Sequence, residues 1–182
     1  MKKFYFKYFS DFKKLCKLDK STNYKLDTLT NLLIDLKKNN KKIIIAGNGG
    51  SAAIASHFSV DMTKNAGVRT VNFNESDLIT CFANDFGYEN WVSKSLDFYL
   101  DAGDILILIS SSGRSKNIIN AAKVGKNLKA KSIITFSGFK KNNQLSKLGN
   151  LNFWVNSKNY NHVETVHQLI LLSIVDRMIL IK

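Results

Sequence analysis

The chain contains no proline, two cysteines and three arginines in 182 residues, and its 14 acidic side chains are outnumbered by 27 basic ones. Cys16 and Cys81 form no Cys-x-x-Cys pair and are too few for a disulfide framework, which excludes a disulfide-stapled secreted scaffold and fits a reducing cytosol. No apolar run is long enough to span a bilayer. The aromatic N-terminus, Phe4-Tyr5-Phe6 and Tyr8-Phe9, is broken by Lys7, Asp11 and Lys13 before a signal-peptide core or membrane span develops. It reads as an amphipathic helix that packs on the domain or on another subunit.

The shortage of acids leaves a formal net charge of +13, carried almost entirely by lysine. Nucleic-acid binding needs a clustered basic face, often with arginine or interleaved aromatics at the contact. Here the arginines are only Arg69, Arg114 and Arg177, and the lysines are scattered. Even Lys37, Lys38, Lys41 and Lys42 flank Asn39-Asn40 as a solvated connection. Missing proline and abundant Asn and Lys mark a bias of the whole composition, so nucleic acid and membrane are not expected partners.

What is present is 45% apolar sequence, enough for one soluble domain over 1–182 with a full core. No repeat, low-complexity tract or linker divides it. Leu26, Leu29, Leu33 and Leu36 recur at helical spacing, so residues 1–40 form an N-terminal helical segment ahead of an α/β core over 41–182. The core then alternates: strand 42–47, helix 51–65, strand 69–73, helices 76–83 and 88–98, strand 104–109, helix 115–128, strand 131–136, helix 142–148, strand 151–155 and helix 162–180. The nearly unbroken aliphatic runs at 104–109 and 131–136 read as parallel strands covered on both faces. The fold class is therefore α/β, a three-layer αβα sandwich with a central parallel sheet of flavodoxin-like type, preceded by N-terminal helices. In such sheets the ligand sits beyond the carboxyl ends of the strands.

Two small-residue turns lie at such ends, Gly47-Asn48-Gly49-Gly50-Ser51 and Ser110-Ser111-Ser112-Gly113-Arg114-Ser115. The second packs four serines into six residues ahead of a helix, where hydroxyls and free N–H groups welcome a phosphate. This exceeds what strand ending and helix capping require. Gly47 to Ala52 also fits a dinucleotide fingerprint, but the acidic residue that should close the second strand comes late, at Glu75, and the serine turn would stay unexplained. His57 and Asp61 share a helix face four residues apart and can converge on one ion or substrate. Glu164 and Gln168 stand in the same relation on the last helix, with His167 between them. Asn84-Asp85 is a polar pair in an apolar stretch.

Taken together, these motifs resemble the sugar isomerase (SIS) domain proteins, and among them the phosphoheptose isomerases. The resemblance rests on Gly47-Asn48-Gly49-Gly50-Ser51-Ala52 with His57, on Ala83-Asn84-Asp85-Phe86-Gly87, on Ile109 to Asn117, and on Glu164-Thr165-Val166-His167. It implies a cytoplasmic aldose-ketose isomerase acting on sedoheptulose 7-phosphate for nucleotide-heptose and surface-glycan synthesis, in a homotetramer with zinc in the active site. By position, Asn48, Gly49, Gly50, Ser51, Asn84 and Asp85 would line the sugar, and Ser110, Ser111, Ser112 and Ser115 would hold the phosphate.

The chain departs from that family pattern at the metal. The family has a histidine with a glutamate four residues on, then a glutamine with a histidine eight residues beyond; here stand His57, Asp61, Glu164 and Leu172. One imidazole and two carboxylates remain, so His57, Asp61 and Glu164 are the expected zinc ligands of an open site completed by water. Leu172 neither ligates nor exchanges protons. Glu164 becomes the expected base, with Asp61 the second catalytic candidate. Two alternatives stay open: an isomerase for a different phosphosugar, and a non-catalytic SIS protein that binds a phosphosugar and regulates or scaffolds a partner.

Overall fold

The computed structural model describes residues 2–181. Two helices, α1 (Lys2–Leu15) and α2 (Lys20–Lys38), precede β1 (Ile43–Ala46), α3 (Gly50–Lys64), β2 (Thr70–Val71), α4 (Ser76–Phe86) and α5 (Trp91–Tyr99). There follow β3 (Ile105–Ser110), α6 (Lys116–Asn127), β4 (Ser132–Ser137), β5 (Leu151–Trp154) and α7 (Tyr160–Leu180). The five strands form a parallel sheet in the order β2-β1-β3-β4-β5. The chain winds outward in both directions from β1 and β3, so the switch in strand order lies between them, where an open α/β sheet forms its crevice.

Both faces of this sheet are dry, which explains the missing polar alternation in its strands. Ile43, Ile45, Ile105, Ile107, Ile109, Ile134 and Phe136 face α2, α3 and α7, where Leu33, Phe58, Met62, Leu171 and Ile174 meet them. Alternate residues Ile44, Ala46, Leu106, Leu108 and Ile133 point the other way, against α4, α5 and α6 through Trp91, Leu96, Ile118 and Ala122. The expected three-layer αβα architecture is therefore the one observed. The Asp19 carboxylate caps α2 by accepting from Thr22 N at 2.6 Å, and Asn159 caps α7 by accepting from His162 N at 3.3 Å. The amphipathic α1 lies on α7, with Phe12 and Leu15 packed on Val155, Val163 and Val166. Its Phe4, Tyr5, Phe6 and Phe9 face solvent. Among the described residues, no helix is long and apolar enough to cross a membrane.

Two expected elements differ. Residues 142–148 form successive turns instead of a helix, because the Asn143 side chain takes over local main-chain groups: it accepts from Ser146 N at 2.9 Å and donates to Lys140 O and Ser137 Oγ, both at 2.9 Å. The strand at 69–73 shortens to Thr70–Val71, since Asn72 and Asn74 turn to α3 instead. Asn72 donates to Ser59 Oγ at 2.7 Å, and Asn74 donates to Ala52 O at 2.8 Å and Ser56 Oγ at 2.6 Å.

At the amino ends of β1 and β3, Asp104 is fully buried. Its carboxylate accepts from Lys42 N at 3.0 Å and Asp101 N at 2.9 Å, and Lys42 Nζ lies 2.6 Å from it and 2.6 Å from Asp101. Burial alone would lower the Lys42 pKa; the hydrogen bonds to Asp101 and Asp104 outweigh it and hold the ammonium above its ordinary value. Asp104→Ala strands two main-chain donors and takes from the Lys42 ammonium the buried one of its two carboxylates. The expected cost is about 3 kcal/mol, read as a lower urea midpoint at unchanged slope; a loss under about 1 kcal/mol, the value of a surface pair, would reject the stitch.

Candidate active site

Parallel pairing sets Ile43 opposite Ile105 and Ala46 opposite Leu108, so the turns that leave β1 and β3 emerge side by side. In the first, a Cβ on Gly47 would sit 2.6 Å from Ser51 Cβ and 2.8 Å from Ser51 main chain, so only glycine permits the tight entry to α3. Gly49 takes a positive φ of 54° at the α3 N-cap. Asn48 exchanges amide hydrogen bonds with Asn117 of α6, at 3.0 and 2.8 Å, and accepts from Tyr88 Oη at 3.2 Å. The amide is thereby fixed in orientation between both turns. Ser51 is buried at the start of α3.

In the second turn, Ser110 Oγ and Ser115 Oγ are 2.9 Å apart, and the Ser112 hydroxyl accepts from Arg114 N at 3.3 Å. Ser115 is the N-cap of α6 without a capping bond from its own side chain. The first N–H groups of α6 and the serine hydroxyls therefore lie together at a helix N-terminus, a set of donors that suits an anion. Ser111 points elsewhere. Its hydroxyl donates to Glu164 Oε1 at 3.2 Å, tying α7 to the serine turn.

The Glu164 carboxylate also lies against the first turn: a Cβ on Gly50 would meet Glu164 Oε2 at 2.2 Å. Beside it runs a cleft of about 460 Å³ whose walls include Gly50, His57, Glu164, Thr165 and Gln168. A cavity of similar size, about 450 Å³, lies between α2, β5 and α7 but is lined by none of the expected site residues. Chemistry, not volume, distinguishes the first.

His57 Nε2 is 3.2 Å from Asp61 Oδ2, and His57 Nδ1 is 3.2 Å from Gln168 Nε2. An ionised carboxylate only accepts, so the imidazole proton belongs on Nε2, leaving the Nδ1 lone pair to accept from the Gln168 amide. Both ring nitrogens are thus engaged. Glu164 accepts from Ser111 through Oε1, and among the described residues no three histidine, cysteine or carboxylate groups gather as a metal set. Among the described residues, His57, Asp61 and Glu164 are not gathered into the three-ligand zinc set that the resemblance implies. Asn84 and Asp85 lie at the end of α4, exposed, with Asn84 donating to Asp85 at 2.9 Å and Cys81 Sγ 3.9 Å from Asp85. Their side chains make no bond to either turn among the described residues.

A SIS domain model matches residues 7–137. The chain belongs to the SIS-domain family. It is 35% identical to the phosphoheptose isomerase of Hamiltonella defensa over 152 residues, spanning 78% of this chain and 73% of that protein. It is 31% identical to the phosphoheptose isomerase of Aliarcobacter butzleri over 150 residues, spanning 79% of this chain and 78% of that one. The solved phosphoheptose isomerase of Neisseria gonorrhoeae superposes with a TM-score of 0.79 at 27% identity, covering 85% of each chain.

Within this SIS domain, Asn48 to Ser51, His57, Asp61, Ser110 to Ser115 and Glu164 gather near the β1–β3 switch, and Asn84 and Asp85 bond to each other at the end of α4. Sequence reasoning did not assign Tyr88, Asn117 or Gln168 to the site. Gln168 carried a usable signal, four residues after Glu164 and so on the same helix face. Asn117 closed the Ile109 to Asn117 motif without a role of its own, and Tyr88 carried no signal, since their contacts with Asn48 span 69 and 40 residues.

His167, inside the Glu164 motif, turns into the core, fully buried, its Nε2 hydrogen-bonded to Ser137 O at 3.2 Å and its ring edge-on to Phe136. Burial, partly offset by that bond, lowers its pKa from 6.5 to about 4. Between those values the unfolded chain binds a proton that the folded chain refuses, so this group removes stability as the pH falls from 6.5 to about 4. Over that range wild type is expected to lose about 2 to 3 kcal/mol more than His167→Gln. Parallel urea midpoints for the two proteins would contradict this.

Proposed function

We propose that this SIS-domain protein is a phosphosugar isomerase that interconverts aldose and ketose, with sedoheptulose 7-phosphate as its substrate. The observation that carries the reading is the link from Gly50 through the Glu164 carboxylate to the Ser111 hydroxyl, because it ties a proton acceptor to both loops of the anion cradle. The names of its relatives, phosphoheptose isomerases, supply the substrate.

The reaction moves a proton between C1 and C2 through an enediol, and asks for a base at carbon, a shuttle at the hydroxyls and a donor at the enediolate oxygen. With the phosphate against Ser110, Ser112, Ser115 and the N-terminus of α6, the reacting carbons extend toward Glu164. Glu164 removes and returns the carbon-bound proton. Its bond to Ser111 keeps the carboxylate aimed before substrate arrives. A substrate hydroxyl that replaces the Gln168 amide at His57 Nδ1 passes its proton there and the ring returns it to the neighbouring oxygen, while Asp61 holds the proton on Nε2. The Asn48 amide, fixed by Asn117 and Tyr88, turns its polar edge to the sugar hydroxyls. The exposed aromatics of α1 support self-association, in keeping with a homotetramer in the cytoplasm.

A second reading, a non-catalytic phosphosugar-binding regulator, is favoured by Leu172, which stands two turns beyond Glu164 on α7 and offers no acid, base or ligand. One assay divides the two. Purified protein is incubated with sedoheptulose 7-phosphate, with added zinc and with chelator, and aldose formation is followed. Turnover is expected; binding without turnover under every metal condition supports the regulator instead. Glu164→Gln should lower kcat by about 100-fold or more with binding retained, and wild-type turnover in that variant would remove Glu164 as the base. Gly50→Ala tests the close approach separately. Alanine suits the first turn of α3, so the fold should persist while the displaced carboxylate costs at least about tenfold in kcat.

A further inference from the structure

Beyond the serine turn lies a second cleft of about 460 Å³, lined by Ser112, Arg114, Phe139, Lys140, Lys158 and three side-chain amides, with no carboxylate. Three cations therefore face one concavity. None has an ion-pair partner among the described residues, although acids elsewhere in the chain pair with Lys7, Lys14, Lys42, Lys94 and Lys131. A cleft walled by one sign of charge concentrates counter-ions of the other.

The backbone under this cleft is built at a cost. Phe139 has φ of 56°, in the left-handed region where a bulky side chain is strained. Two main-chain hydrogen bonds hold it there: Phe139 N donates to Ser157 O at 2.9 Å, and Gly138 N donates to Ser111 O at 2.8 Å. The ring packs on Tyr160 with centroids 4.9 Å apart. This hook joins three segments, so that Lys140 after β4 and Lys158 before α7 meet Arg114 of the serine turn. Leu145 N donates to Gly113 O at 3.1 Å, and the Asn143 amide occupies the space a Cβ on Gly113 would need. The serine turn and the basic cleft are thereby locked at one separation.

We infer that this cleft is a second anion site, taking a phosphate or carboxylate group beside the phosphate held by the serine turn. The inference rests on the phosphate reading of that turn. A ligand with acidic groups at both ends fills the two sites together; alternatively a separate small anion fills the second while a monophosphate occupies the first.

Calorimetry on the full chain at low salt separates these cases, with fructose 6-phosphate, fructose 1,6-bisphosphate and inorganic phosphate as probes. Wild type should bind the bisphosphate about tenfold tighter than the monophosphate, or bind inorganic phosphate at a further site once saturated with monophosphate. The first result assigns one doubly charged ligand and the second a separate anion. Either signal should fade in about 0.5 M salt and vanish in the Lys140→Ala/Lys158→Ala double variant, whose two exposed changes should leave monophosphate affinity within about twofold. Either signal surviving unchanged in the double variant would overturn the site. So would a wild type that shows neither. If neither fructose 6-phosphate nor sedoheptulose 7-phosphate binds, the serine-turn reading falls and this inference falls with it, whereas loss of the second signal alone leaves that reading standing.

Discussion

Because Asp104 is buried between the first residues of β1 and β3, its carboxylate must find donors there, and Lys42 supplies both its main-chain N–H and its ammonium. An unpaired carboxylate at that depth would be costly, so the two strands are pinned together at their amino ends. From that point the aliphatic register Ile43 to Ile105 through Ala46 to Leu108 runs without slack. At the other end of the same strands it delivers the glycine turn and the serine turn as neighbours. The site depends on this one pairing, because no contact within either turn would bring it to the other.

Once the turns are adjacent, α7 closes over them, and its side chains divide by direction. Val166 and Leu171 go to the core, His167 goes with them, and Glu164 and Gln168 remain on the face toward α3. Gly50 allows the Glu164 carboxylate closer than any larger residue would. The polar groups there are spent on one another: Ser111 on Glu164, Asp61 and Gln168 on the two nitrogens of His57.

The parts of the fold legible in sequence were those with a local cause. Runs such as Ile105 to Ile109 announced strands dry on both faces, and the leucine spacing before Lys38 announced α2. The serine turn was legible as a cluster of hydroxyls at a helix start, because Ser115 is the N-cap of α6, close after β3. The segment 142–148 misled because Leu145 and Leu148 have helical spacing, while the Asn143 side chain, which broke the helix, acts through bonds to Ser137, Lys140 and Ser146 that spacing does not reveal. Asn84 and Asp85 were grouped with the site by motif, and the fold sets them at the end of α4, close in sequence to the Tyr88 that reaches Asn48.

By itself, the sequence determined the layer order, the residue types at each strand end and the elements apart from 142–148 and the extent of β2, since these follow from periodicity, burial pattern and turn chemistry within a few residues. Neighbours on one helix, such as His57 and Asp61, were likewise set by its pitch. Only the tertiary structure decided that Glu164 meets Ser111 and Gly50, that Gln168 orients His57, and that Arg114, Lys140 and Lys158 share a cleft. Those meetings join segments many residues apart, and they are fixed by strand order and helix packing, which no local spacing encodes.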